Sequence, residues 1–395
     1  MVGLTEASAQ RELQLSFPSG NLLLNGTLRL PAGNGPFPLL LLVHGSGPQT
    51  RDVTTPLVGG NFPCLYPGIH GNTLRPFKEL REGLVQFGFA VFSYDKRTYT
   101  YGATLDQTSI TLFDYADDAG AALDFLKTRS EIDTSCIVVL GHSQGGCVTA
   151  WLARQRDDIQ ALVSLAGPAT SIDTLVGEQL RYIYATCDDS LTGVALSNQM
   201  QTAFGSIRNG TWPPLTPLSG AYPAFWRSWL QLADSVVENY NLAGKPVLFI
   251  HGDDDYNVPV RDTARWHNEI SLSRYEVKVF PGLNHFLSPA NQPNVSPEVL
   301  EAIGEWLPIC RTTAVKYDDF AKNIRAVRQE NQLVVFGENI EKAITIRLFD
   351  MQGRLLFQKN NYLNPDNTIH IPITQQQFFI LEISDQKGHI FRKKL

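Results

Sequence analysis

Cys136-Ile137-Val138-Val139-Leu140-Gly141-His142-Ser143-Gln144-Gly145 is an apolar run that ends in a tight turn, and Cys147-Val148-Thr149-Ala150-Trp151-Leu152-Ala153 follows with helical character. The stretch therefore reads as a strand, a sharp turn and a helix. A serine at the tip of such a turn is pushed clear of the sheet with its oxygen exposed. The glycines at 141 and 145 suit a backbone that is strained there and too crowded for a β-carbon.

Outward from this turn, strand and helix alternate. Leu39 to Val43, Phe89 to Tyr94, Ala161 to Leu165, Pro246 to Ile250 and Tyr275 to Phe280 read as strands. Leu74 to Phe87, Phe113 to Leu126 and Pro297 to Leu307 have helical spacing. Over residues 38–307 this alternation predicts an α/β fold, a mostly parallel sheet with helices on both faces. Leu13 to Phe17 and Leu22 to Leu30, around Pro18-Ser19-Gly20-Asn21, predict an N-terminal hairpin over 11–30. One connection is too long for an ordinary crossover. Residues 168–245 hold helical pieces (Ile172 to Tyr184, Ala221 to Ala233) and many aromatic side chains, which predicts a helical cap insertion. Trp212, Phe225 and Trp226 are its candidate substrate-binding residues.

A serine hydroxyl needs a base to accept its proton, and the base needs an acid to fix its tautomer. The strand Val247 to Ile250 runs into His251-Gly252-Asp253-Asp254-Asp255, and the strand Val277 to Phe280 runs into Pro281-Gly282-Leu283-Asn284-His285. Acid and base thus follow Ser143 in chain order, on loops at the strand ends where open α/β sheets bind ligands. His44 and His251 precede glycines at strand ends and suit loop ordering, His142 is directed differently at the turn, and His285 is the candidate base. Charged residues make up 18% of the 395 residues and the net charge is −6, which argues against nonspecific nucleic-acid or anionic-membrane binding. No apolar run reaches the ~18–20 residues a membrane-spanning helix needs. The sequence offers no metal motif, phosphate loop or dinucleotide fingerprint, so no metal and no cofactor are expected. The five cysteines are too scattered for a disulfide framework. Cys136 and Cys147 read as small core residues, and one bridge, for example Cys64 with Cys187, remains open.

With these pieces in order, residues 38–307 resemble the α/β-hydrolase superfamily, specifically its bacterial esterase and dienelactone-hydrolase-like branch. The matching motifs are Val43-His44-Gly45-Ser46-Gly47-Pro48, Tyr94-Asp95-Lys96-Arg97, Gly141-His142-Ser143-Gln144-Gly145-Gly146, His251-Gly252-x-x-Asp255-x-x-Val258-Pro259 and Asn284-His285. The resemblance implies Ser143 as nucleophile, Asp255 as acid (Asp253 and Asp254 being alternates whose ordinary role is turn formation) and His285 as base. It implies an oxyanion hole made by the N–H groups of Gln144 and Ser46, with Gly47 as alternate to Ser46. Asp95-Lys96-Arg97 reads as salt-bridged scaffolding. The expected activity is hydrolysis of carboxylic esters through an acyl-enzyme, on aryl or carbohydrate-linked small-molecule or polymer substrates. Two other readings stand beside it: a serine peptidase on the same fold, and a surface binding protein with a vestigial triad.

Beyond Cys310 the character changes. Residues 311–330 are polar and mixed, which suits a linker, and 331–395 alternate as short strands, predicting a small all-β sandwich. Phe349-Asp350-Met351-Gln352-Gly353-Arg354, Phe379-Ile380-Leu381-Glu382-Ile383 and the basic end Arg392-Lys393-Lys394-Leu395 resemble the C-terminal sorting domain of the type IX secretion system of Bacteroidetes. That resemblance implies a secreted or cell-surface protein with the secretion machinery as partner. Ala7-Ser8-Ala9-Gln10 is similar to a signal-peptidase region, so the expectation is a leader whose apolar core this sequence lacks.

Overall fold

Every side chain from Leu39 to Val43 is buried, which a strand achieves only when both faces of its sheet are covered. In the computed structural model Leu39, Leu41 and Val43 join one apolar cluster while Leu40 and Leu42 join another. The same alternation sends Ile137 and Val139 one way and Val138 and Leu140 the other. Each leucine so buried contributes about 2 kcal/mol. The structure describes residues 9–102 and 104–310, and beyond them the strands 324–329, 332–337, 344–349, 355–361, 368–372, 380–385 and 390–394.

The main sheet has eight strands: β1 (Arg11–Ser19), β2 (Leu22–Leu30), β3 (Phe37–Val43), β4 (Ala90–Tyr94), β5 (Ile132–His142), β6 (Ala161–Leu165), β7 (Val247–Gly252) and β8 (Tyr275–Phe280). Their spatial order is β1-β2-β4-β3-β5-β6-β7-β8. The β1–β2 hairpin and the β2–β4 pair are antiparallel, and the pairs from β4 through β8 are parallel. The helices are α1 (Phe62–Leu65), α2 (Pro76–Leu84), α3 (Arg97–Tyr101), α4 (Leu112–Lys127), α5 (Gln144–Arg154), α6 (Ile172–Thr186), α7 (Ser190–Arg208), α8 (Pro223–Asp234), α9 (Val236–Ala243), α10 (Asp262–Glu269) and α11 (Pro297–Trp306). Residues of α4, α5, α8 and α9 pack in one cluster and those of α2 and α11 in the other. The fold is thus α/β, as the alternation of strand and helix predicts.

Helices α6 to α9 lie between β6 and β7. Pro223 opens α8, where its fixed φ and missing N–H cost nothing. The rings of Trp226 and Trp229, three positions apart on its buried face, stack at 5.5 Å.

Two disulfides join Cys64 to Cys187 and Cys136 to Cys310, leaving Cys147 free and buried. Cys136 is therefore not the unpaired core residue its apolar run suggests. The segment after α11 brings Cys310 back to the β5 strand, a proximity that local sequence does not encode.

Residues 311–395 form a separate compact unit. Within it, Ile324–Gln329, Gln332–Gly337 and Thr368–Pro372 make one antiparallel sheet, and Leu355–Asn361, Ile344–Phe349, Ile380–Asp385 and Ile390–Lys394 make another. Leu333, Val335, Ile346, Leu348, Ile371, Leu381 and Ile383 are buried. The strand Ile324–Gln329 falls inside the range that reads as a linker, so that range is too long. Its two arginines, three positions apart, leave no clean apolar–polar alternation, and pairing with Gln332–Gly337 supplies what its own composition does not. The sequence Asp350-Met351-Gln352-Gly353 and Asp385-Gln386-Lys387-Gly388 suggests two turns between strands; Asp385 apart, these residues lie outside the described ones.

Candidate active site

The turn between β5 and α5 carries its strain at one residue. Ser143 sits at φ 54°, ψ −123°, a region that non-glycine residues enter only when the surroundings enforce it. Its N–H donates to the Leu165 carbonyl at 2.9 Å, and its own carbonyl accepts from the Gly146 N–H at 2.8 Å. The flanking glycines are demanded by crowding: a β-carbon on Gly141 would stand 2.3 Å from the Gly145 carbonyl oxygen, and one on Gly145 would stand 2.4 Å from the Val43 carbonyl oxygen.

Asp255 is 4% exposed, in the loop after β7. Its Oδ1 accepts from the N–H groups of Asn257 and Val258 at 2.8 and 2.9 Å, and its Oδ2 meets His285 Nδ1 at 2.7 Å. A carboxylate is an acceptor only, so Nδ1 carries the proton and Nε2 keeps its lone pair. Asp253 instead accepts from the Gly282 N–H at 2.6 Å, and both Asp253 and Asp254 are exposed. His285 is held from its neighbours: Asn284 Oδ1 accepts from the Phe286 N–H at 2.9 Å, and His142 Nε2 donates to the His285 carbonyl at 2.9 Å. Burial, then the His285 ring, lowers the His142 pKa to about 3, which leaves it neutral. His142 is a support that its position beside Ser143 does not reveal in the sequence.

Ser143 and His285 line one cavity of about 820 Å³, together with Gln144 and Ser46. No hydrogen bond joins the serine hydroxyl to the ring in this structure; such contacts commonly tighten only when substrate is bound. Gln144 opens α5, so its N–H has no carbonyl one turn back to bond. Among the described residues, neither that N–H nor the Ser46 N–H donates to a loop or side-chain acceptor. The arrangement offers an oxygen nucleophile, an oriented imidazole and unspent amide donors at one place.

The cavity wall is aromatic. Phe225 and Trp226 line it, joined by Trp229 and by Tyr66, Tyr115 and Tyr256. Trp212 does not: its indole N–H donates to the Thr216 carbonyl at 2.8 Å within its own loop. Trp229 could have been found from its spacing to Trp226 on one helical face. Among the described residues, no Asp, Glu, Lys or Arg lines the cavity.

Asp95-Lys96-Arg97 divides in the structure. Asp95 pairs with Arg51, and Arg97 with Asp114 and Asp118. Lys96 makes no such pair. It is 3% exposed, and its ammonium donates to the Gly45 carbonyl at 2.8 Å and to Gln144 Oε1 at 3.0 Å, while standing 4.1 Å from the Tyr115 ring centre. Burial lowers its pKa to about 7, with Asp118 acting in the other direction.

A serine at a strained strand–helix turn, with acid and base on the loops after two later parallel strands of this sheet order, defines an α/β-hydrolase. The chain belongs to the Hydrolase_4 family, described as serine aminopeptidase, S33, whose model matches residues 64–289. It is 31% identical to esterase EstD of Thermotoga maritima over 311 residues, 74% of this chain and 68% of that one. It is 24% identical over 238 residues to a non-heme haloperoxidase of Rhodococcus erythropolis, 56% of this chain and 84% of that protein. Among solved structures, Est1E from Butyrivibrio proteoclasticus superposes with a TM-score of 0.47 at 20% identity, covering 76% of this chain and 99% of that one.

Proposed function

We propose that this chain is a serine esterase that hydrolyses carboxylic esters through an acyl-enzyme. The observation that carries the reading is the His285 Nδ1–Asp255 Oδ2 contact of 2.7 Å in a cavity that Ser143 also lines. Ser143 Oγ attacks the ester carbonyl while His285 Nε2 takes its proton. The tetrahedral oxyanion lies between the N–H groups of Gln144 and Ser46. Collapse expels the alcohol, protonated by His285, and leaves Ser143 acylated. Water, deprotonated by the same nitrogen, then releases the acid.

The substrate class follows from the wall. Aromatic rings favour aryl groups, in the acyl part or in a carbohydrate-linked ester. A cavity without charged side chains offers no partner to a substrate carboxylate. It likewise offers no carboxylate to hold the α-ammonium of a peptide N-terminus, which an aminopeptidase would need. Ester therefore ranks above peptide. Two disulfides suit an oxidising compartment. With the resemblance of residues 331–395 to a type IX sorting domain, they support a secreted or cell-surface location.

Turnover of p-nitrophenyl acetate and butyrate, beside a panel of aminoacyl anilides, tests the assignment. Wild type should cleave the esters and leave the anilides, and Ser143→Ala should lower kcat by about 10⁶. Equal rates for wild type and Ser143→Ala would remove the serine mechanism. A wild-type protein that fails to react with a fluorophosphonate would favour the vestigial-triad reading.

A further inference from the structure

Lys96 is a buried ionisable group that neither an ion pair nor the proposed chemistry accounts for. Its two acceptors are not random. One is the carbonyl of Gly45, which belongs to the same peptide unit as the Ser46 N–H. The other is the side chain of Gln144, whose backbone N–H is the second oxyanion donor. Among the described residues the cis peptide is Gly35–Pro36, so the Gly45–Ser46 unit is trans and planar. In such a unit the C=O and N–H point in opposite directions. An ammonium that holds the oxygen on one side thereby directs the hydrogen to the other.

That control matters at this place because glycines flank Ser46. Gly45 removes most of the steric resistance to a peptide rotation, and Gly47 sits at φ +81°. A rotated unit would turn a carbonyl oxygen toward the developing oxyanion, converting an attraction into a repulsion. The next unit is held separately, with Gln49 Nε2 donating to the Ser46 carbonyl at 2.9 Å. When Lys96 is protonated, its charge on the Gly45 oxygen also polarises the amide, so the N–H becomes a stronger donor.

We propose that Lys96 is a positioning residue for the oxyanion hole, its ammonium fixing the Gly45–Ser46 peptide with the N–H turned into the cavity and tying it to Gln144. Lys96 itself touches neither substrate nor nucleophile. The inference rests on the esterase reading and on Ser46 as donor.

The test compares wild type with Lys96→Met, which keeps the length and loses the donor, and with Lys96→Gln, which is neutral and shorter but still donates. Gln144→Met serves as a further variant: it removes one anchor of the ammonium and keeps the backbone N–H. Each is measured for Tm, for kcat and KM on p-nitrophenyl butyrate, and for inhibition by phenylboronic acid, whose tetrahedral serine adduct places an oxygen in the hole. Lys96→Met is expected to lose about 10²-fold in kcat, the scale of one oxyanion donor. Its KM should stay within about threefold of wild type and its boronate Ki should rise in step with the loss of kcat. Lys96→Gln should recover part of the loss, and Gln144→Met should show a smaller loss of the same kind. Wild-type kcat in any folded Lys96 variant overturns the proposal. So does a loss of kcat that tracks only the unfolded fraction, or one that leaves the boronate Ki unchanged. If wild type lacks esterase activity, or Ser143→Ala retains it, the esterase reading fails instead.

Discussion

His44, His142 and His251 surround the site, all buried, and each is kept uncharged chiefly by that burial. Their pKa values fall from 6.5 to about 3, 3 and 4. Unfolding restores the ordinary value, so below pH 6.5 the unfolded chain binds more protons than the folded one. Stability therefore rises with pH in this window: it is complete above about 6.5 and is lost as pH falls toward 4. For three groups the slope approaches about 4 kcal/mol per pH unit. Urea unfolding at pH 7, 6, 5 and 4 should show a steep fall, and a flat profile would refute the neutral-histidine assignment. Such burial is hard to read in a sequence. Ser143, Asp255 and His285 are legible because chain order and strand ends constrain them. Lys96 is not, because three adjacent charges look alike until one of them is enclosed. Trp212 misleads for the converse reason: a ring in an aromatic-rich insertion gives no sign that its N–H is spent on Thr216.

At the scale of elements, the parallel strands were plain from their continuous apolar runs, and α8 from its spacing. Helix α7 was hidden. It buries Gly193, Ser197, Met200, Phe204 and Ile207 while Leu191 is 84% exposed, so its apolar face does not stand out in the sequence. The Cys64–Cys187 bridge joins α1 to the residue that ends α6. Neither cysteine lines the cavity, but the elements they join do, through Phe62 and Tyr66 in and after α1 and through Leu175, Val176 and Gln179 in the first half of α6. The bridge therefore ties the end of α6, in the cap insertion, to α1. Its sequence separation of 123 residues gives a large chain-entropy effect, about 2–5 kcal/mol. Cys64→Ser/Cys187→Ser should lower Tm and raise KM for a bulky aryl ester by roughly three- to tenfold, at most about 1.4 kcal/mol. The rate on p-nitrophenyl acetate, which needs little of the wall, should change far less. An unchanged KM for the bulky ester would remove the bridge from any part in shaping the cavity.

At the scale of the whole molecule, the chain divides at Cys310 into two compact units. The residues proposed for catalysis, the aromatic cavity and both disulfides fall within the first. The second has its own buried strand residues, among them Val335, Ile346, Ile371 and Leu381. The sequence shows this division through its change from helix–strand alternation to short strands; only the edge, near Ile324, needed the paired strand to place it. If the second unit serves export rather than chemistry, removing it should separate the two. A chain ending at residue 310, which keeps the Cys136–Cys310 bridge, should retain kcat and KM within about twofold, as a self-sufficient domain does. Given an added leader and expressed in a host with type IX secretion, the full chain should reach the medium or cell surface while the shortened one stays in the periplasm. Equal export of both would defeat the sorting role, whereas a large loss of kcat on shortening would assign residues 311–395 a part in the reaction itself.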